Sequence, residues 1–151
     1  MRKIFLLGFI MALGLFLVGT AIADKAADTK ALVEQGVAAF KAKGKDDTIK
    51  AIDDPKGPFV KDDLYLFVGS MDNKVLAHPF AKQLVGKDAT DLKDPKGTAF
   101  FVKFKEVADK DGSGWVEYWW PKPGDKEPAL KNTFIMKVPG ETVYIGAGYY
   151  K

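Results

Sequence analysis

The chain of 151 residues contains no cysteine and a single histidine, His78. Without cysteine there can be no disulfide, no thiolate metal site and no cysteine nucleophile. One histidine unsupported by thiolates is also a poor basis for a transition-metal site. Arginine is nearly missing: the one present is Arg2, so beyond it any bound anion must be held by lysine, histidine or backbone N–H groups, not by a guanidinium fork. Serine is scarce too. Ser70 and Ser113 stand alone, neither lies in a G-x-S-x-G elbow, and a triad would have to rest on His78. No acid and base are paired at a spacing suited to proton transfer, so no catalytic residue is assigned and no enzyme is expected.

Two glycine-containing stretches imitate ligand loops. "DKDGSG" places Asp109, Asp111, Ser113 and Gly114 at positions one, three, five and six of a calcium loop, but Trp120 stands where the bidentate Glu belongs. It reads as a tight connection, and no metal is expected. "GAG" at Gly146–Gly148 has no helix-forming sequence after it to receive a phosphate. Those glycines are expected to mark a strand packed closely against another element, or one wall of a cavity. No cofactor is expected either.

The amino terminus has what the rest lacks, a long apolar run. Arg2 and Lys3 precede Ile4–Val18, and Ala21-Ile22-Ala23 follows, which describes a secretory signal peptide over residues 1–23 with cleavage before Asp24. No cysteine lies at that site, so no lipid anchor is expected. Arg2 and Lys3 leave with the signal while all 20 acidic residues stay, so the formal charge of +3 falls to about +1. A near-neutral surface offers no electrostatic case for nucleic acid or a membrane surface. The expected product is periplasmic or secreted, without a membrane span, and folds as one domain over residues 24–151.

Hydrophobic periodicity divides that domain. Val33, Gly36, Val37 and Phe40 fall on one helical face, with Gly44 as a stop signal and a short helix around Asp46–Ile52 beyond it. "LYLFVGS" (Leu64–Ser70), a turn at "MDNK" and "VLAH" predict a hairpin ending at His78, where Pro79 stops the strand. Phe100, Phe101, Phe104, Val107 and Ala108 predict a further helix, followed by strands over Gly114–Trp120, Leu130–Val138 and Thr142–Tyr150. "DPKG" occurs at Asp54–Gly57 and Asp94–Gly97, read as one turn chemistry used twice. The sum is α+β: an antiparallel sheet of about five strands with helices segregated to one side.

Aromatics are abundant where chemistry is thin. In "GWVEYWWPKPG", alternation puts Val116, Tyr118 and Trp120 on one face and Trp115, Glu117 and Trp119 on the other. Tyrosine and tryptophan join a large apolar body to a polar handle, which suits a ligand wall as well as a core. Lys131, at the start of the next strand, is available as a cation. Enclosure of Tyr118 and Trp120 with Lys131 would favour a carboxylate; exposure of Trp115 and Trp119 would favour sugar stacking, or an aromatic cage for a cation. A ligand-free interaction module would fill the space with its own side chains.

The ordered set "YLFVGSMDNKVLAHPFAKQLVGKDATDLKDPKG", "GSGWVEYWWPKPG", a lysine and a final "YIGAGYY" resembles a single Cache domain of the second type, an extracytoplasmic sensing module of bacterial chemoreceptors and sensor kinases. The resemblance spans nearly all of Asp24–Lys151. It implies a PAS-like antiparallel sheet behind a long N-terminal helix, with a small-molecule pocket on the sheet for short carboxylates such as acetate, propionate, pyruvate or lactate. By motif, the implied contacts are His78 of "AHP", Tyr118 and Trp120 of "Y-x-WP", and Lys131, with Tyr65 joining from the hairpin. Phe134 stands where the family commonly has a tyrosine, so one expected hydroxyl is missing. Because the chain ends with the domain, signalling is expected to need a partner, a membrane receptor or sensor kinase.

Overall fold

The computed structural model describes residues 17–151, with side-chain surroundings from residue 21 onward. Most of the expected export signal therefore lies outside the described residues. Helix α1 (Leu17–Lys43) runs unbroken through the expected cleavage position, and Lys41 and Lys43 in its last turn complement the helix dipole. It stops where the sequence predicts, at Gly44, whose φ of 84° favours glycine and whose N–H returns to the Phe40 carbonyl at 3.0 Å. Helix α2 (Lys45–Asp53) follows at once.

Six strands come next, one more than expected: the short β1 (Val60–Lys61), which the sequence reading missed, and, in the expected places, β2 (Leu64–Ser70), β3 (Val75–Ala77), β4 (Ser113–Pro121), β5 (Pro128–Lys137) and β6 (Val143–Tyr150), with helix α3 (Phe100–Lys110) between β3 and β4. They form one antiparallel sheet in the order β1-β2-β6-β5-β4, with β3 beside β2. The last strand in sequence is thus central, hydrogen-bonded between β2 and β5. This is the PAS-like α+β architecture.

One detail of the expected layering is corrected. Helices α1 and α2 share a face, where Leu32, Val33, Phe40 and Ile52 pack with Leu66, Val68, Ile145 and Ala147. Helix α3 lies on the other face, burying Phe100, Phe101, Phe104 and Ala108 against Phe67, Val116, Tyr118 and Tyr144. Helices therefore cover both faces of the sheet, so every residue of β6 is buried, while edge strand β4 keeps the alternation visible in its sequence.

The repeated "DPKG" makes the same turn twice: Asp54 and Asp94 each accept a backbone N–H two residues on and are bonded again from the glycine N–H. Asp94 does more. Its carboxylate also accepts the N–H groups of Thr98 (2.8 Å) and Trp119 (3.0 Å), fastening the long segment after His78 to β4.

Candidate functional site

Lys131 stands at the centre of the α3 face. It lies on β5 directly between Tyr118 of β4 and Tyr150 of β6, so three long side chains form a row across the sheet. Its space comes from Gly148 on the neighbouring strand. A Cβ there would stand 2.2 Å from Thr133 Oγ1 and 2.9 Å from Lys131 Cε, so the glycine is the notch through which the lysine stem passes. Gly146 does the same for the Phe67 ring. Of the two readings of these glycines, close packing against a neighbouring element is the one the structure shows.

The lysine is wholly buried and its Nζ has no hydrogen-bond partner among the described residues. It sits 4.0 Å from the Tyr65 ring centroid and 5.0 Å from that of Tyr150, within cation–π reach of both. Those π faces do not replace water: burial drives the ammonium pKa from 10.5 down to about 7, against a small opposing pull from Asp63. A buried cation this poorly paired is costly unless something anionic meets it.

His78 lies one residue past β3. Its ring is 5.2 Å from Tyr65, 5.8 Å from Trp120 and 6.0 Å from Phe67, centroid to centroid. Nδ1 accepts the N–H groups of Ala81 (2.9 Å) and Phe80 (3.2 Å), which assigns the ring proton to Nε2. Burial, and then the nearby charge of Lys131, push its pKa down to about 3. The imidazole is therefore a neutral donor through Nε2–H across the physiological range.

The remaining wall is aromatic. Phe100 stacks on Tyr118 at 4.5 Å and meets Trp120 edge-on at 5.5 Å; Thr133 donates to the Tyr118 hydroxyl at 3.4 Å. Burial raises the pKa of both Tyr118 and Tyr65, so each hydroxyl stays protonated. Phe67, His78, Phe100, Phe101, Tyr118 and Trp120 line a small cleft of about 10 Å³, room for about one water. Outside them a recess of about 250 Å³ opens between Phe80–Gln83 and the β4–β5 turn Pro121–Asp125, with Tyr65 and Trp120 as its inner wall. A larger groove of about 590 Å³ lies on the opposite face along α1, lined mainly by apolar residues such as Val37, Phe40, Met136 and Val138.

All five residues singled out in the sequence thus lie on one face as neighbours. His78, Tyr118, Lys131 and Tyr65 are buried and Trp120 is half-buried; His78 and Tyr118 line the cleft, Tyr65 the recess and Trp120 both, while Lys131 lies behind them against the Tyr65 ring. Sequence reasoning missed Tyr150, whose ring covers Lys131 and whose hydroxyl donates to the Pro121 carbonyl at 2.8 Å. It also missed Phe67, Thr133 and the lining role of Phe100. Alternation along the final strand could have placed Tyr150 with Gly148 on one face, but not beside Lys131.

Phe134 requires a correction. Its ring lies on the α1 face, 5.1 Å from Trp115 and beneath Lys30, so a hydroxyl at that position would not reach this cleft. Trp115 and Trp119, the candidate sugar platform, are half-buried and overlaid by Lys30 and Lys96 respectively.

Comparison with known proteins adds the family. Residues 29–151 match the family model described as Cache domain. Over 88 residues the chain is 33% identical to the methyl-accepting chemotaxis protein McpP of Pseudomonas putida, covering 58% of this chain and 16% of that protein. It is 31% identical over 88 residues to the sensor histidine kinase MctS of Rhizobium johnstonii, covering 58% of this chain and 19% of that one. The chain thus spans under a fifth of either relative's length.

Among solved structures, a periplasmic sensor domain of a chemotaxis protein aligns with TM-score 0.68 at 25% identity, covering 92% of this chain and 99% of that one. A Cache chemosensory domain solved for the structural basis of its carboxylic acid recognition aligns with TM-score 0.73 at 24% identity, covering 87% and 97%. A methyl-accepting chemotaxis protein from Vibrio parahaemolyticus aligns with TM-score 0.74 at 23%, covering 87% and 92%. The aromatic-walled face of an antiparallel sheet behind a long helix, the family match over most of the chain and the shared fold agree: the chain belongs to the Cache domain family.

Proposed function

We propose that this Cache domain senses or captures a small organic monocarboxylate in the pocket around Lys131, without covalent chemistry. One observation carries the reading: a fully buried lysine whose Nζ lacks any hydrogen-bond partner among the described residues and lies 4.0 Å from the Tyr65 ring, against which His78 also packs at 5.2 Å. A carboxylate would supply the missing counter-charge, and a charge-assisted bond in this dry surrounding is stronger than in water. Tyr118, Trp120 and Tyr65 would contact the apolar remainder of the ligand, which enters through the recess beside Phe80. A ligand larger than one water displaces Trp120 or Tyr65 on entering. The same cation argues against a cationic ligand, and the lysines over Trp115 and Trp119 argue against a sugar platform.

The relatives are a chemotaxis protein and a sensor kinase, which supports a signalling role through a membrane receptor or sensor kinase partner. The domain would then work outside the cytoplasm after removal of residues 1–23. No helix among the described residues is long and apolar enough to cross a membrane.

The test is thermal unfolding against acetate, propionate, pyruvate, lactate, amines and sugars. A ligand at 100 times its dissociation constant adds about 2.7 kcal/mol, a rise of several degrees. Stabilisation by the acids that disappears in Lys131→Met supports the proposal. Stabilisation by sugars or amines with none by acids refutes it.

A further inference from the structure

The His78 ring is oriented by groups outside the pocket. Asp53, the last residue of α2, accepts the His78 backbone N–H through Oδ1 at 3.0 Å. Its other carboxylate oxygen pairs with Lys82 Nζ, and the same ammonium also donates to the Asp53 backbone carbonyl. Lys82 opens the 3₁₀ turn Lys82–Leu84, directly after the two residues, Phe80 and Ala81, whose N–H groups saturate His78 Nδ1. The result is a closed ring of bonds. Asp53 holds the start of the His78–Lys82 segment, Lys82 holds its end, and between them the backbone curls so that two amide protons point at one imidazole nitrogen.

Stability alone explains this poorly. The Lys82 and Asp53 side chains are 49% and 33% exposed, and an ion pair in that setting contributes roughly 0–1 kcal/mol. What the pair does decide is geometry. A neutral imidazole carries one proton, and where two donors occupy Nδ1 that proton must sit on Nε2. If the segment relaxed, both tautomers would be populated and Nε2 would in part become an acceptor, repelling a carboxylate oxygen.

We propose that Asp53 and Lys82 are positioning residues that lock His78 in its Nε2–H tautomer. The use of that proton in ligand binding rests on the function proposed above; the tautomer lock does not.

Because His78 is the only histidine, ¹⁵N-histidine labelling of the whole chain yields a single imidazole, and its two nitrogen shifts report the tautomer directly. In the ligand-free wild type we expect one tautomer with protonated Nε2. In Lys82→Ala and Asp53→Ala we expect a mixture, with the melting temperature lowered by a few degrees at most. Asp53→Asn keeps an oxygen for the His78 N–H and should lie between them. A pure Nε2–H tautomer retained in both alanine variants overturns the proposal. Propionate affinity measured on the same samples should fall in proportion to the remaining Nε2–H fraction, about twofold for an even mixture. Absence of propionate binding in the wild type would count against the proposed function alone, since the shifts are read without ligand.

Discussion

The sharpest consequence of the site is a stability that rises with pH in the alkaline range. Lys131 titrates at 10.5 when unfolded and at about 7 when folded, because burial penalises its charged form. Between those values the unfolded chain holds one proton that the native chain has released. Stability therefore increases as pH rises from 7 to 10.5, and below 7 the native state carries the full penalty of a buried ammonium. At about 1.4 kcal/mol per pH unit, the span corresponds to about 5 kcal/mol, a large fraction of what holds a domain together.

Other groups titrate over the same range, so the measurement is a difference. Wild type and Lys131→Met are unfolded with urea at intervals from pH 6 to 10.5. Methionine fills the Lys131 channel beside Gly148 without a charge, so the variant should be the more stable at pH 6, and its advantage should shrink by several kcal/mol towards pH 10.5. Saturating propionate should flatten the wild-type dependence by keeping the amine protonated. A difference curve that stays level across the range would refute the reasoning, because it would mean that the amine finds water or a counter-charge in the native state.

Other outcomes follow from single contacts. His78→Ala should weaken carboxylate binding by about tenfold, for the loss of one donor; unchanged affinity by calorimetry would remove His78 from the site. An NMR titration of the wild-type His78 ring should show it neutral from pH 8 down to about 4, since its pKa lies at about 3. Gly148→Ala puts a methyl 2.2 Å from Thr133 Oγ1 and 2.9 Å from Lys131 Cε, and should cost about 1–3 kcal/mol while abolishing binding; wild-type behaviour on both counts would remove the notch. Asp94→Ala frees three backbone N–H groups, of Lys96, Thr98 and Trp119, and should cost about 3 kcal/mol with faster amide exchange at Trp119; unchanged exchange there would show the fastening to be unimportant.

Much of this protein is legible along the chain because the signals are local. Gly44 ends α1 through its own backbone freedom, and the two "DPKG" turns form from bonds spanning two or three residues. Edge strand β4 displays its two faces as alternation. Central strands β2 and β6 do not, because helices bury them from both sides, and for the same reason the placement of α3 opposite α1 could not be read from periodicity.

The site divides in the same way. Composition alone restricted the chemistry: with no arginine after residue 2, no cysteine and a single histidine, an anion in this domain must meet a lysine, His78 or backbone N–H groups. Motif resemblance then collected the five residues that prove to be neighbours. Register between strands distant in sequence decided the rest. It set Lys131 between Tyr118 and Tyr150, opened its channel at Gly148, and turned Phe134 to the opposite face. The Asp53–Lys82 bond joins groups 29 residues apart, and the tautomer of His78 depends on it. Side-chain identities and short-range turns are properties of the chain itself. Whether a lysine is solvated or stranded, and which nitrogen of an imidazole holds the proton, is set by the groups that folding brings within about 3 Å, and only the tertiary structure decides those.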